Sequence, residues 1–330
     1  MSSHSIDASG LDVLHITRDR NTTTTVFPNG QVIAKQHDMI SAKIIKDSVN
    51  IDCNRITTFE LEYPRFIHAE LMTHRQFSRN AASSRAVPVA NMIKHVELNP
   101  AEPVSWGQNQ PGMRADVQLD DAQQALAQHT WRSASASACE WARLLSSQGV
   151  HKQIVNRVTE PFQIMKTIVT ATEYINWFWL RCHADAQPEI KQLADCMRLA
   201  LQKSDAELLL PGDWHVPYVN TGFTGGTQTF SSTSGTKLSL ADALKVSASC
   251  CAQVSYRRED DSLAKAQAIY DRLIVSEPAH ASPVEHQATP IPDIVSDKEW
   301  PTGVTHQDAC GDYWSANFCG WIQNRKLLGL

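Results

Sequence analysis

Residues 154–201, IVNRVTEPFQIMKTIVTATEYINWFWLRCHADAQPEIKQLADCMRLAL, leave a folding chain few choices. A helix at the start of this run must end near Pro161, whose ring supplies no amide hydrogen. The β-branched residues at about 165–171 favour a strand, and a helix follows through Trp179. After a break near Asp185 comes another helix. Its residues Ile190, Leu193, Met197 and Leu201 recur at helical spacing, a stripe that belongs in a hydrophobic core.

Upstream, TTFELEY (57–63) alternates apolar and polar residues, so Phe59, Leu61 and Tyr63 face one side of a strand. Pro64 suits a first helical position, and Phe66, Ile67, Leu71 and His74 then recur at helical spacing. The expectation is a strand, a short helix and then an exposed loop. Residues 1–37 are polar, with TTTT and PNG turn signals, and read as an edge hairpin or a loose arm. Residues 98–113 are an irregular connection. Asp120 or Asp121 can cap a long alanine-rich helix closed by Gly149. Residues 220–239, rich in Gly, Ser and Thr, read as a linker or mobile loop. No Gly-Lys-Ser/Thr follows those glycines, so they make no phosphate-binding P-loop. Ser239 and Asp242 form a capping box for a helix in LADALKVSASCCAQVSY. A second helix, DSLAKAQAIYDRLI, precedes HASPVEH, and the tail YWSANFCGWIQNRKLLGL is aromatic and ends basic.

The 330 residues are 42% hydrophobic and 20% charged, as expected of a globular chain. A net charge of −5 argues against stable binding to nucleic acid. No secretory signal pattern and no apolar run of about 20 residues is present, so the expected location is the cytoplasm, away from membranes. The eight cysteines include no C-x-x-C pair and resemble no zinc or disulfide framework. They read as reduced thiols. His68 and His151 read as ordinary partly buried residues, and His183, Asp185 and His286 make no metal trio; no metal is expected.

The segment THRQFSRNAASSR (73–85) is different. Arg75, Arg79 and Arg85 offer rigid forks of donors among short hydroxyl and methyl side chains. Ala81 and Ala82 let a ligand approach main-chain amides. Such a segment suits a phosphate or another anion, though a solvated loop capped by serines fits the chemistry equally.

The segment resembles the signature of flavin-dependent thymidylate synthases (the ThyX family), Arg-His-Arg-x-x-Ser-x-Asn-Glu-x-Ser-x-Arg. His74, Arg75, Ser78, Asn80, Ser83 and Arg85 fall at the matching places. LRCHADAQPEI resembles a second family pattern at Arg181, Ala186, Gln187, Glu189 and Ile190. GVHKQIVNRVTEP resembles the segment whose arginine contacts the nucleotide, here Arg157. Asn176 matches an asparagine that contacts flavin. The family's opening block, however, is poorly matched before Thr57. It is matched well at 251–286, by Ser255, His280, Ser282, Pro283, Glu285 and His286. We read this order as a circular permutation or an equivalent rearrangement, which exposed loops tolerate. The resulting organisation is an arm (1–56), a core with an inserted loop (57–219), a linker (220–239) and a permuted element with the tail (240–330).

The resemblance implies an α+β fold, an antiparallel sheet flanked by helices. It implies FAD as cofactor, with NADPH and methylenetetrahydrofolate as co-substrates. The acceptor would be C5 of dUMP or a related pyrimidine nucleotide, and the expected assembly is a homotetramer with shared active sites. Ser83, Ser84, Arg85 and Arg157 would hold the phosphate. Arg181 and Glu70 would face the substrate, with Arg181 and Ser83 nearest the chemistry. His74, Arg75, Ser78, Asn80, Asn176, Ser255, His280, Ser282 and Glu285 would line FAD. Two alternatives stand beside methylation of dUMP: a related C5 hydroxymethylase or methylase of another base, and an inactive nucleotide- or flavin-binding relative.

Departures from the pattern motivate those alternatives. Thr73 stands where the family has its first signature arginine, Ala81 replaces a glutamate, and Glu70 a glutamine. Ala86 replaces a tyrosine, Thr170 an asparagine, Thr172 an arginine, and Asp185 a histidine. Gln323, Arg325 and Lys326 of the tail are candidates to replace lost donors. Alternatively, the tail packs as core through Phe318 and Trp321.

Overall fold

The Arg55–Pro64 strand lies at the middle of a five-stranded sheet in a computed structural model of the chain. The model describes residues 39–254, 260–294 and 299–330 in full; within 5–36 it describes only the strand backbones, and at Ser255 only the backbone. Across the sheet the order is Glu207–Leu208, Ser41–Val49, Arg55–Pro64, Ile164–Ala171 and Ser78–Ala81. All pairs are antiparallel except the first, where the two-residue edge strand runs parallel to Ser41–Val49. The mixed α+β architecture implied by the sequence is therefore present.

Both faces of the sheet are covered. Phe59, Leu61 and Tyr63 point to one face, as their alternation demands, and stand opposite Val169, Thr167 and Met165. There they pack against Trp177 and against Ile190, Leu193 and Met197 of the Pro188–Lys203 helix. On the other face Ile56 meets Leu209, Ala288, Phe318 and Trp321, and Ile168 meets Cys251 and Val254. Helix Leu240–Ala252 and the C-terminal tail thus cover the second face. Phe318 and Trp321 are core residues, fully buried.

The long helix runs from Asp121 to Ser147. Asp120 accepts from the Gln123 amide (2.8 Å) while the Gln123 side chain accepts from the Asp120 amide (3.3 Å). At the far end Gly149 adopts φ +80°. The Val150 and Gly149 amides there return to the Leu145 and Ser146 carbonyls, which satisfies carbonyls the helix cannot. This helix packs on Val89–Leu98 through Ile93, Val96, Cys139 and Ala142.

Three expectations need correction. The segment after the short His68–Leu71 helix is not an exposed loop throughout, because Ser78–Ala81 pairs with Ile164–Ala171 and buries Ser78 and Asn80. Residues 220–238 are no loose linker. They form a three-stranded antiparallel sheet, Asn220–Thr224, Thr227–Ser231 and Lys237–Leu238. Gly225 and Gly226 turn its hairpin with positive φ at both positions, and Phe230 and Leu238 pack on Val246 of the following helix. Finally, the arm ends earlier than 56. Met1–Met39 is a unit of its own, whereas Ser41–Val49 is a strand of the main sheet and Ile40 lies in its core. That N-terminal unit contains the pair Ser5–Ile6/Asp12–Val13 and a meander of His15–Arg18, Thr22–Val26 and Val32–Gln36.

Phe59→Ala should cost about 3–5 kcal/mol, since it empties a site enclosed by the sheet and helix layers. Asp120→Ala, which removes an exposed cap, should cost only about 1 kcal/mol. Urea titrations of both variants check the contrast.

Candidate functional site

Three stretches far apart in sequence meet at Ser78. The Ser78–Ala81 strand sends Ser78 and Asn80 to one side. Asn80 Nδ2 donates to the Cys251 carbonyl (3.1 Å), tying the strand to the end of the Leu240–Ala252 helix. Ser78 Oγ receives N–H groups from Asn317 (3.1 Å) and Gln323 (3.1 Å), both from the tail. Gln323 Nε2 also reaches the main-chain carbonyl of Glu285 (3.4 Å), in the Ser282–Glu285 turn. The Glu285 carboxylate pairs with Arg325. The downstream element therefore packs beside the signature strand in space, although it follows it by some two hundred residues.

A second group surrounds Arg181, on the last turn of the Ile175–Arg181 helix. Its Nε donates to His74 Nε2 (3.0 Å) and its NH1 pairs with Glu70 Oε2 (3.0 Å). His74 is buried, with the Trp177 ring edge-on at 4.6 Å. Because Nε2 accepts from a permanent cation, the imidazole is neutral with its proton on Nδ1. Burial, then the nearby Arg181 and Arg79 charges, push its pKa down to about 4. Arg79 itself donates to the Met72 and His74 carbonyls (2.7 and 3.2 Å) and so braces the turn that carries the imidazole.

The remaining sequence candidates lie around these groups. Ser84 is buried and Ser83 half-buried, whereas Arg75, Arg85 and Arg157 are exposed. Arg157 NH1 stands 3.9 Å from Glu160. Asn156, which no motif flagged, fastens the serine loop by donating to the Ser84 and Val87 carbonyls (2.7 and 2.9 Å). His280 is exposed, and its Nδ1 lies 3.1 Å from Ser282 Oγ. Asn176 is exposed, lining a cleft of about 480 Å³ with Gln76, Glu173, Trp179 and Asp312. It is not among the residues gathered at Ser78. The Ser255 side chain lies outside the described residues.

The departures have structural employment. Thr73 Oγ1 donates to the Glu70 carbonyl (2.7 Å) and closes the short helix. Thr170 is buried, bonded to Thr58 Oγ1 (2.7 Å) and His286 Nδ1 (2.8 Å). Thr172 Oγ1 accepts from the Cys319 amide (3.0 Å). Asp185 meets Arg114 of the inserted loop (2.5 Å). Of the tail candidates, Gln323 reaches Ser78 and Arg325 reaches Glu285, whereas Lys326 turns to the Leu330 carbonyl (3.1 Å). Asn317 was missed because a lone asparagine before an aromatic run reads as a turn residue.

Residues 55–205 match the family model described as thymidylate synthase complementing protein, Thy1. This central segment is of the Thy1 family, that of the flavin-dependent thymidylate synthases. The matched span contains Thr73–Arg85 and Arg181–Ile190; the Ser282–Glu285 turn and the tail lie beyond it. No curated protein matches the chain. Among solved structures, it is similar to the UMP/dUMP methylase PolB from Streptomyces cacaoi bound with 5-Br dUMP. The identity is 20% and the TM-score 0.41, over 50% of this chain and 90% of that one. The same methylase bound with 5-Br UMP gives 19% identity and a TM-score of 0.43, over 50% and 89%. Among the described residues no helix is long and apolar enough to cross a membrane.

Histidine burial makes a pH prediction. His74 and His68 have pKa values of about 4 in the fold, against about 6.5 in an unfolded chain. As the pH falls below about 6.5 the unfolded chain takes up protons that the fold refuses, so stability drops until about pH 4. Melting temperatures measured from pH 7 to pH 4.5 should decline, and H74Q should show a shallower decline.

Proposed function

We propose that the chain is a flavin-dependent C5 methylase of a pyrimidine nucleoside monophosphate, a thymidylate synthase acting on dUMP. The observation that carries this reading is the meeting at Ser78. A Thy1-family segment supplies the strand, and the one other stretch resembling that family, Ser282–Glu285, packs against it through Gln323. Such packing is what a circularly permuted member requires. The PolB methylase, described with halogenated UMP and dUMP, is in keeping with a pyrimidine nucleotide as ligand.

The residues present fit FAD. A dinucleotide needs cations for its diphosphate and polar partners for its ring system. Exposed Arg75 lies on the same short segment as Ser78 and Asn80, and the Ser282–Glu285 turn is followed by buried polar atoms that find no partner among the described residues, His286 Nε2 and Gln287 Oε1. His74, Arg75, Ser78, Asn80, Asn176, Ser255, His280, Ser282 and Glu285 are the proposed cofactor-binding residues. Bound FAD, reduced by NADPH, would supply the hydride that completes a methyl group whose carbon comes from methylenetetrahydrofolate.

The chain's own part is placement and charge. Arg85 and Arg157, exposed and rigidly forked, would bind the nucleotide phosphate with Ser83 and Ser84. Arg181 spends two of its five N–H groups on His74 and Glu70, which fixes the plane of the guanidinium and leaves three for the pyrimidine. Neutral His74 is essential to that arrangement, since a protonated ring would repel the arginine it now accepts from. Ser83 acts as a ligand and not a nucleophile, since reduced flavin would supply the hydride and make a protein nucleophile unnecessary. A homotetramer with shared sites, residing in the cytoplasm, completes the proposal.

Glu70 favours one competing detail, a different acceptor base. It is bound to Arg181 at the proposed substrate face, where the family has a glutamine. Purified protein should be yellow or become so with FAD, and bleach with NADPH. Mass spectrometry of products from dUMP, UMP and dCMP should find a gain of one methyl group on dUMP. A hydroxymethyl product, or turnover of dCMP alone, would move the assignment to the related C5 hydroxymethylase or methylase of another base. Protein that cannot be loaded with FAD would overturn the enzyme reading. R181A should weaken nucleotide binding about 10- to 100-fold, the worth of one charged hydrogen-bonding group, as measured by calorimetry.

A further inference from the structure

One of the tail's two carboxamides, Gln323, ends an apolar strand, and the other, Asn317, lies in the turn before Phe318–Cys319. Gln323 is 1% exposed and follows Trp321 and Ile322. An apolar side chain would fill the same space without the cost of desolvating an amide. Its nitrogen is instead aimed at Ser78 Oγ, Asn317 Oδ1 and the Glu285 carbonyl (3.1, 3.1 and 3.4 Å). Asn317 Nδ2 donates to the Gln76 carbonyl (2.8 Å) and to Ser78 Oγ. Main-chain carbonyls can only accept, so Glu285 and Gln76 fix which end of each amide faces inward.

The tail that carries these groups is held at several points. Asn50 donates to the Gly320 carbonyl (3.0 Å), the Trp321 indole donates to the Asn54 carbonyl (3.0 Å), and Thr172 accepts from Cys319. Gly320 has φ +71°, and a Cβ there would stand 2.4 Å from Asn54 Nδ2, so the approach admits only glycine. Ser315 Oγ accepts from the Gln323 amide (3.1 Å). A rigid support thus delivers two amides to both ends of the turn from Gln76 to Ser78. This turn separates His74, the partner of Arg181, from the strand bearing Asn80.

We infer that Gln323 and Asn317 are positioning residues that clamp the signature segment through Ser78 and Gln76. They hold it in the geometry that binds the flavin, a role the segment's own Thr73 cannot fill. Neither amide belongs to the Thy1-matched segment, and the clamp is a device of this chain's C-terminal tail. The inference rests on the flavin reading given above.

The test is a double-variant cycle read by FAD titration of the full chain, with melting temperature recorded for each variant. Q323M keeps the volume and removes the donor; S78A removes the receiving oxygen. Each should raise the FAD dissociation constant roughly tenfold, the worth of one buried hydrogen bond. N317A should do the same. Q323M placed on S78A should add little, because the Gln323 arm of the clamp reaches the signature segment through that hydroxyl. An unchanged dissociation constant in Q323M, or effects that simply sum, would overturn the clamp while leaving the flavin reading intact. Failure of the unmodified chain to take up FAD would overturn the flavin reading and the clamp's purpose together.

Discussion

Thr58 and Thr170 face each other across the centre of the sheet, hydroxyls 2.7 Å apart, with no access to water. Buried hydroxyls must find partners, and these find them in a chain. His215 Nε2 lies 2.9 Å from Thr58 and its Nδ1 2.9 Å from Ser48, while His286 Nδ1 lies 2.8 Å from Thr170. Burial pushes both imidazoles toward neutrality, His286 to a pKa of about 3. The segments at 215 and 286 have one place to dock where both threonine hydroxyls and the ring nitrogens facing them are paired. Helix Leu240–Ala252 and the tail close over the same face. Apolar contact alone would allow them to slide; the hydroxyl–imidazole chain sets the register.

Much of this was legible in the sequence where a period of two or of 3.6 was strong. Phe59, Leu61 and Tyr63 announced the central strand, the stripe from Ile190 to Met197 its covering helix, and Asp120 and Gly149 the limits of the longest helix. The signature residues were legible as a group because their spacing is specific. Ser-Arg-Asn-Ala carries no apolar alternation, so its strand exists only through pairing with Ile164–Ala171, a partner no local window contains. Residues 220–238 misled for the opposite reason. Their glycines and serines suggested a linker, but Thr221 and Phe223 in one strand and Thr227 and Thr229 in the next alternate as a pleated surface demands.

The substitutions relative to the family are coherent once their contacts are known. Thr170 receives His286 from the downstream element, and Thr172 receives Cys319 from the tail. Asp185 receives Arg114 from the inserted loop. Thr170 and Thr172 thus tie the downstream segments to the sheet, and Asp185 ties Arg114 to the start of the Pro188–Lys203 helix. The short side chains of Thr170 and Thr172 leave room for an imidazole and a backbone amide to dock on their hydroxyls. These departures therefore have structural work in this fold.

The bond between Gln323 and Ser78 joins residues 245 apart in sequence. During synthesis the Ser78–Ala81 strand emerges well before the Ser282–Glu285 turn and the Trp321–Gln323 strand that pack beside it. Sheet pairing between Arg55–Pro64 and Ile164–Ala171 can precede that moment; the clamp cannot. Closing so long a loop is slow compared with local pairing. A nascent chain of this protein would therefore hold a folded sheet with one bare face until the segments bearing Cys251, Ala288, Phe318 and Trp321 have been made.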